Sequence, residues 1–238
     1  MLRVRIACCF ALVLLTFIAT ACTSAPPALE NAPTAKGLGT TTSTASTSVR
    51  LLAEARQYAF RVRNANCLAT GSSFATANGI VTNRHVASGA TSLELATWTG
   101  TDFAASVRSI SETPGPDLAL LSGGSAKSLA ALATSDAPDG TQVWAAGYPE
   151  GTQLSVLPGI VTDYVPGSDY TAPGQIMEIT NPIKPGNSGS PLLDSAGKVV
   201  GVVFALNSVT GNGLAIPVST LEQFLTAPGA DTTGTCIG

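Results

Sequence analysis

The chain has 238 residues, a formal net charge of −3, 45% hydrophobic residues and only 11% charged residues. This length suits one compact domain with accessory segments and excludes two large domains. The mild acidity and the lack of a basic run with interleaved aromatic residues argue against a nucleic-acid partner. The 24 glycines and 15 prolines, with short runs of Val, Ile and Leu, favour an all-β chain with many turns.

Residues 1–21 have the layout of an export signal. Two arginines precede an apolar run from Ile6 to about Ala19, and small residues follow. The segment Ala19–Cys22 resembles a bacterial lipoprotein cleavage site, after which Cys22 would carry the lipid. An uncleaved anchor is disfavoured because the run falls short of the roughly 20 residues of a spanning helix; ordinary secretion stays an alternative. We expect a location outside the cytoplasm, with a lipid at Cys22 as the membrane attachment.

Residues 22–48 are predicted to be a flexible tether. From Thr23 onward they are mainly Ala, Pro, Thr and Ser with almost no large apolar side chain, so the segment cannot bury enough surface to fold. The remaining residues, 49–238, then form the folded domain. Its first element is expected to be a short helix that begins at Val49, with Ser48 as a possible cap.

Short runs with strand character recur between turn residues throughout the folded domain. Their spacing fits barrels or sandwiches better than alternating strands and helices, without choosing between the two. A short helix capped by Ser219 is expected at the end. No internal sequence repeat is visible. The runs are Phe60–Val62, Ser72–Phe74, Ile80–Thr82, Ser92–Trp98, Ala105–Ile110 and Leu118–Leu121, then Gln142–Ala146, Leu154–Thr162, Ile176–Ile179, Pro191–Leu193, Lys198–Phe204 and Leu214–Ile216.

His85 is the only histidine of the chain. It follows the β-branched run Ile80–Thr82, and a side chain at such a strand exit projects into a cleft. A nucleophilic serine needs a base with a pKa near working pH, and imidazole is the usual one. A structural histidine is the alternative. With one histidine, no HExxH motif and no paired CxxC motifs, no catalytic metal and no cofactor is expected.

Ser188 lies in a tight turn with Gly186 two residues before it and Gly189 one residue after it. Gly186 allows unusual backbone dihedrals, so that its N–H and that of Ser188 could point at one spot as an oxyanion hole. These residues could also form a purely structural turn, because a lone GxSG motif is weak.

Three motifs, VTNRHVA, PDLALL and GNSGSP, resemble in this order the three signatures of trypsin-like serine peptidases. The likeness is closest to bacterial members of the HtrA and periplasmic actinobacterial type, and it covers roughly Phe60 to Leu225. The resemblance implies two six-stranded antiparallel β-barrels, at about 58–135 and 141–225, with a short C-terminal helix. Too little chain follows for a PDZ domain. The order histidine, aspartate, serine also disfavours subtilisins and α/β-hydrolases.

Asp117 is the aspartate that fits the resemblance best. It precedes the apolar run Leu118–Leu121, so its carboxylate would enter a buried strand and need a partner such as the imidazole N–H. A turn aspartate after Pro114–Pro116 is the alternative reading, and Asp102 is the second candidate. The resemblance implies a serine endopeptidase acting through an acyl-enzyme on protein or peptide substrates.

The same resemblance implies a substrate pocket walled by the segment before Ser188 and by Phe204, Ala205 and Leu206, which suit a small or medium apolar side chain. Lys184 could favour an acidic substrate residue or be a solvated surface group. Two rival functions remain: a catalytically silent binding or signalling module with the protease fold, and a cell-envelope esterase. No oligomeric state is predicted.

Cys67 and Cys236 are the two cysteines that remain once the signal is removed and Cys22 is lipidated. An even pair in an exported protein indicates a disulfide. Two free thiols are the alternative.

Overall fold

The computed structural model describes residues 38–170, 172–230, 232 and 234–236, with only the backbone for 38–42. The predicted signal peptide, Cys22 and the first part of the predicted tether lie outside these residues. No helix within the described part of the chain is long and apolar enough to span a membrane.

The first closed barrel contains six antiparallel strands with the order β1-β2-β3-β6-β5-β4, and β4 pairs with β1 to close it. In β1, Phe60 and Val62 point into the core while Arg63 is exposed; β2, in contrast, is buried at its last six positions. The strands are β1 (Ala59–Asn64), β2 (Ala69–Thr76), β3 (Gly79–Thr82), β4 (Leu93–Ala96), β5 (Asp102–Ile110) and β6 (Ala119–Gly123).

The second closed barrel repeats this arrangement with the order β7-β8-β9-β12-β11-β10. The repeat is in topology alone, since the sequence shows none. Closed barrels resolve the choice that the strand pattern left open, and the predicted all-β class with two six-stranded barrels is confirmed. The strands are β7 (Gln142–Gly147), β8 (Ser155–Pro166), β9 (Gln175–Ile179), β10 (Pro191–Leu193), β11 (Val199–Leu206) and β12 (Gly213–Pro217).

Helix α1 (Leu38–Ala55) corrects two expectations. It covers Leu38–Ser48, which composition assigned to the tether, and it places Ser48 inside the helix rather than at its cap. Packing against β7 and β8 explains the helix. Leu51 and Ala55 are fully buried, and the hydroxyl of Ser48 accepts a hydrogen bond from Trp144 Nε1 at 3.0 Å. Tertiary contacts thus stabilise a segment with poor helix propensity.

Two further helices complete the fold, α2 (Arg84–Ala87) and α3 (Val218–Thr226). The predicted cap of the last helix is wrong, because Pro217 holds the N-cap position and makes no side-chain bond there. Ser219 lies inside the first turn instead. Its N–H and hydroxyl donate to Asp136 at 2.9 and 2.7 Å, so a carboxylate from another segment satisfies the helix start.

A disulfide joins Cys67, in the turn after β1, to Cys236 near the end of the chain, with 5.4 Å between their Cα atoms. The sulfur atoms lie beside Gly89, in the loop that follows α2. The bridge therefore fixes the C-terminal segment to the first barrel.

Candidate active site

His85 lies in α2, which begins two residues after β3 ends. Val86 and Ala87 are buried, so they anchor the helix to the first barrel. Asn64 Nδ2 donates to Val86 O and Ser88 O, both at 3.0 Å, and so fixes the end of the helix. The backbone under the imidazole is therefore held on two sides.

Asp117 contacts His85 with both carboxylate oxygens. Oδ2 lies 2.5 Å from the imidazole Nδ1, and Oδ1 accepts the backbone N–H of His85 at 2.9 Å. Asn83 Nδ2 donates to the Asp117 carbonyl at 2.7 Å, which holds the loop before β6. A carboxylate on Nδ1 places the proton there and leaves Nε2 as the basic nitrogen. Asp102, the second candidate, is exposed at the start of β5 and has no contact with the imidazole.

Ser188 lies in the turn between β9 and β10, and the two neighbouring glycines have positive φ angles of +92° at Gly186 and +86° at Gly189. A Cβ at Gly186 would lie 2.4 Å from Tyr148 O, and one at Gly189 would lie 2.1 Å from Ser72 O. Both positions therefore require glycine for backbone conformation and for space.

The N–H groups of Gly186 and Ser188 donate to no protein acceptor within the described residues. The N–H groups of Asn187, Gly189 and Ser190, in contrast, are bonded to carbonyl groups at 3.0, 2.8 and 2.9 Å. The turn thus leaves two donors unpaired on either side of Asn187. Unpaired donors of this kind are what an oxyanion hole supplies.

The hydroxyl of Ser188 donates to Phe204 O at 3.5 Å, and no hydrogen bond joins it to the imidazole of His85 among the described residues. The two segments are nevertheless neighbours. A Cβ placed on Gly71 would lie 2.8 Å from Ser188 O on one side and 2.8 Å from a methyl group of Val86 on the other. Nucleophile–base contacts are often long in unliganded sites and shorten when substrate binds.

Ser72 is a residue of this site that the sequence predicted only as the start of a strand. Its N–H donates to Ser188 O at 2.7 Å, and its hydroxyl donates to Gly186 O at 2.7 Å while accepting the N–H of Tyr148 at 2.9 Å. Ser72 is buried on β2 of the first barrel, and its partners belong to the second. Ser72 therefore holds the turn around Ser188, here called the serine turn, against the first barrel.

The residues predicted to wall the substrate pocket lie beside the serine turn. Phe204 is a bulged residue of β11, and its ring packs edge-on against Tyr170 with 6.2 Å between the ring centres. Ala205 is half-buried and Leu206 is 46% exposed. Bulges often redirect side chains next to active sites.

Lys184 and Glu178 are two charged residues on this side of the second barrel, one in an exposed ion pair and the other buried and hydrogen-bonded. Lys184 Nζ lies 3.2 Å from Glu150 Oε1, and both side chains are exposed. Glu178 is buried on β9 and accepts bonds from three side chains of the β11–β12 turn. It thereby fixes the turn that follows Leu206. No motif in the sequence pointed to this role. The three donors are Asn207, Thr210 and Asn212.

The described residues contain no group of three or more His, Cys, Asp or Glu side chains arranged to hold a metal ion. Burial raises the pKa of Tyr148, beside the serine turn, to about 12, although the nearby Arg61 opposes the shift. This phenol therefore stays protonated, and its hydroxyl donates to Ala59 O at 3.3 Å.

The model of the trypsin-like peptidase domain matches residues 69–202, which is more than half of the chain. The chain belongs to this family. It is 34% identical over 161 residues to the putative serine protease HhoA of Synechocystis sp., covering 62% of this chain and 40% of that protein. It is 36% identical over 155 residues to the serine protease Do-like HtrA of Bacillus subtilis, covering 58% of this chain and 33% of the relative.

The chain thus spans two fifths or less of these curated relatives. Among solved structures, the inactive form of Rv3671c from M. tuberculosis superposes with a TM-score of 0.67 at 24% identity, covering 79% of this chain and 93% of that one. This likeness supports the trypsin-like fold.

Proposed function

We propose that this chain is a serine endopeptidase with His85, Asp117 and Ser188 as its catalytic triad. The observation that carries the proposal is the double contact of Asp117 with the ring and the backbone of His85, beside a serine turn with two unpaired N–H groups. Membership of the trypsin-like peptidase family supports the same reading.

In this mechanism Ser188 Oγ attacks a peptide carbonyl while His85 Nε2 takes its proton. Asp117 keeps the Nδ1 proton in place and stabilises the imidazolium that forms. The N–H groups of Gly186 and Ser188 receive the oxyanion of the tetrahedral intermediate. His85 then returns the proton to the leaving amine, the acyl-enzyme forms, and water releases it by the same steps.

The side chain before the scissile bond would lie along Phe204, Ala205 and Leu206. The exposed ion pair with Glu150 engages the charge of Lys184, which supports its reading as a surface group.

We also propose that the enzyme acts outside the cytoplasm on protein or peptide substrates, with a lipid on Cys22 as its membrane attachment.

A fluorophosphonate probe tests the nucleophile, because it labels only an activated serine. We expect the probe to label the purified wild-type protein and not Ser188→Ala. Without the probe, wild type should cleave casein or a peptide mixture, and Ser188→Ala should not. Equal labelling of both proteins would contradict the assignment of Ser188.

A pair of aspartate variants tests the third member. Asp117→Asn is expected to lower kcat by about 10⁴-fold, because the amide favours the wrong imidazole tautomer. Asp102→Asn is the matched control and should keep nearly full activity, since Asp102 is exposed and lacks contact with His85. Similar losses in both variants would contradict the role of Asp117.

The rival with a specific observation in its favour is a silent module with the protease fold. The hydroxyl of Ser188 bonds to Phe204 O rather than to His85, which is the arrangement that a resting or inactive site would show. Failure of the wild-type protein to react with the probe would favour this rival. An envelope esterase would instead be labelled but would cleave esters and leave peptides intact.

A further inference from the structure

A groove of about 490 Å³ opens beside the serine turn, and its lining comes from the first barrel and the segment after β7. One wall is the start of β2, and the other is the short turn Pro149–Gly151. Gly151 N lies 2.8 Å from the position of a Cβ on Gly186, so this wall touches the proposed oxyanion turn. The groove lining includes Arg61, Arg63, Thr70, Glu150 and Gly151.

The position of the groove decides which part of a substrate would enter it. If the side chain before the scissile bond lies along Phe204, the peptide continues past Ser188 toward the opposite side of the serine turn. That side is formed by β2, whose Ser72 bonds to Ser188 O, and by β1 next to it. The residues after the scissile bond therefore extend into the groove.

Two arginines give this groove its charge. Arg61 lies opposite Ser72, and Arg63 lies opposite Thr70, two residues farther from the serine turn on the same face of β1. Their spacing along the strand, about 7 Å, matches that of alternate side chains in an extended peptide. The arginines therefore lie at successive depths along the groove.

The acidic groups near the groove do not neutralise both arginines. Glu150 is paired with Lys184 at 3.2 Å. Glu94 lies across from Arg63 on β4 but makes no ion pair with it within the described residues. Arg61 donates one hydrogen bond to Gly151 O at 3.1 Å, which orients its guanidinium toward the groove wall. The Arg63 side chain is exposed and makes no hydrogen bond or ion pair in the described part of the chain.

We propose that this groove selects substrates with Asp or Glu among the second to fourth residues after the scissile bond, through Arg61 and Arg63. The inference rests on the proposed peptidase function and adds a substrate class to it. It concerns the leaving-group side, which is distinct from the pocket that Phe204, Ala205 and Leu206 would wall.

The test uses two internally quenched peptides that share the sequence before the scissile bond and carry either Glu or Gln at all of the second, third and fourth positions after it. We expect the wild-type kcat/KM to favour the Glu peptide by about 2- to 5-fold for each arginine engaged. Salt should reduce the ratio, because exposed charges are screened. A ratio of 1 at low salt would overturn the inference.

Arg63→Gln should bring the Glu-to-Gln ratio down, and the ratio cancels any general change in activity. Lys198→Gln is the matched control, because it removes the same charge from the exposed β10–β11 turn outside the groove. An unchanged ratio in Arg63→Gln, or an equal fall in both variants, would overturn the proposal.

Binding to Ser188→Ala separates this proposal from the proposed function. Fluorescence anisotropy of the labelled Glu and Gln peptides reports the groove without turnover. Preference for the Glu peptide with no cleavage by wild type would reject the peptidase function and retain the acidic-residue groove. Cleavage of both peptides at equal rates, with equal binding, would retain the peptidase and reject the groove.

Discussion

Ser72 connects the serine turn to the first barrel through its backbone N–H and its buried hydroxyl. It donates to Gly186 O and accepts from the N–H of Tyr148, so its removal would leave a buried N–H without a partner. The next residue, Ser73, is also buried, but its hydroxyl has no partner within the described residues. Ser72 and Ser73 are thus both buried serines of β2, but only the Ser72 hydroxyl is bonded to the serine turn.

Ser72→Ala is expected to lower the free energy of unfolding by about 1–3 kcal/mol, the cost of an unsatisfied buried group. It should also lower kcat by about 10-fold or more with a smaller change in KM, because the N–H groups proposed to bind the oxyanion would shift by fractions of an ångström. Ser73→Ala should be neutral or slightly stabilising. Steady-state kinetics and urea unfolding check both. Equal kinetic effects in the two variants would contradict a positioning role for Ser72.

The sequence indicated the proposed reacting residues more clearly than the residues that support them. His85 and Ser188 stand out because the chain has one histidine and because glycines flank the serine. Asp117 depended on the resemblance. Ser72 and Glu178 left no signal, because their roles depend on partners more than 25 residues away in the chain. Local patterns carry no information about such contacts.

At the scale of elements, helix α1 shows where composition misleads. Thr44, Ser48, Leu51 and Ala55 recur at intervals of four, three and four residues, which places them on one face of the helix. The first two are hydroxyl residues, and each accepts a hydrogen bond from a side chain of β7. An apolar pattern therefore begins only at Leu51. The strands, in contrast, are visible in the sequence as short apolar runs; β12, for example, is buried at all five positions.

Leu51→Ala is expected to reduce the free energy of unfolding by about 2–5 kcal/mol, because it opens a cavity where the side chain is fully buried. Val49→Ala, on the same helix but 71% exposed, should change it by less than about 0.5 kcal/mol. Urea unfolding followed by the fluorescence of the buried Trp144 measures both. A small effect at Leu51 would mean that α1 does not pack on the second barrel in solution.

At the scale of the whole molecule, buried tyrosines are expected to make the folded chain less stable at alkaline pH. Burial raises the pKa of Tyr58, as does the nearby Glu54 carboxylate, and burial raises the pKa of Tyr164 to about 12, with Asp136 and Asp139 adding to the shift. The folded chain keeps protons that unfolded tyrosines release above a pKa of 10.0. The free energy of unfolding is therefore expected to fall as pH rises from about 10 to 12.

Tyr58→Phe should make this alkaline loss smaller. The Tyr58 hydroxyl is buried without a partner among the described residues, so its removal should leave stability at pH 8 unchanged or raised by up to about 1 kcal/mol. Urea unfolding at pH 8 and pH 11, with tyrosinate absorbance in parallel, tests both points. An identical pH dependence in wild type and variant would show that Tyr58 ionises normally in the folded chain.

The bridge between Cys67 and Cys236 also determines what a cut in the chain can do. Cleavage of an exposed loop between these residues, such as the β11–β12 turn where Val209 is 90% exposed, leaves two fragments that are still covalently joined. A self-cleaved molecule would migrate near full size in a non-reducing gel and separate into two bands only after reduction. A proteolytic cut between these two cysteines therefore breaks the chain without releasing a fragment until the disulfide is reduced.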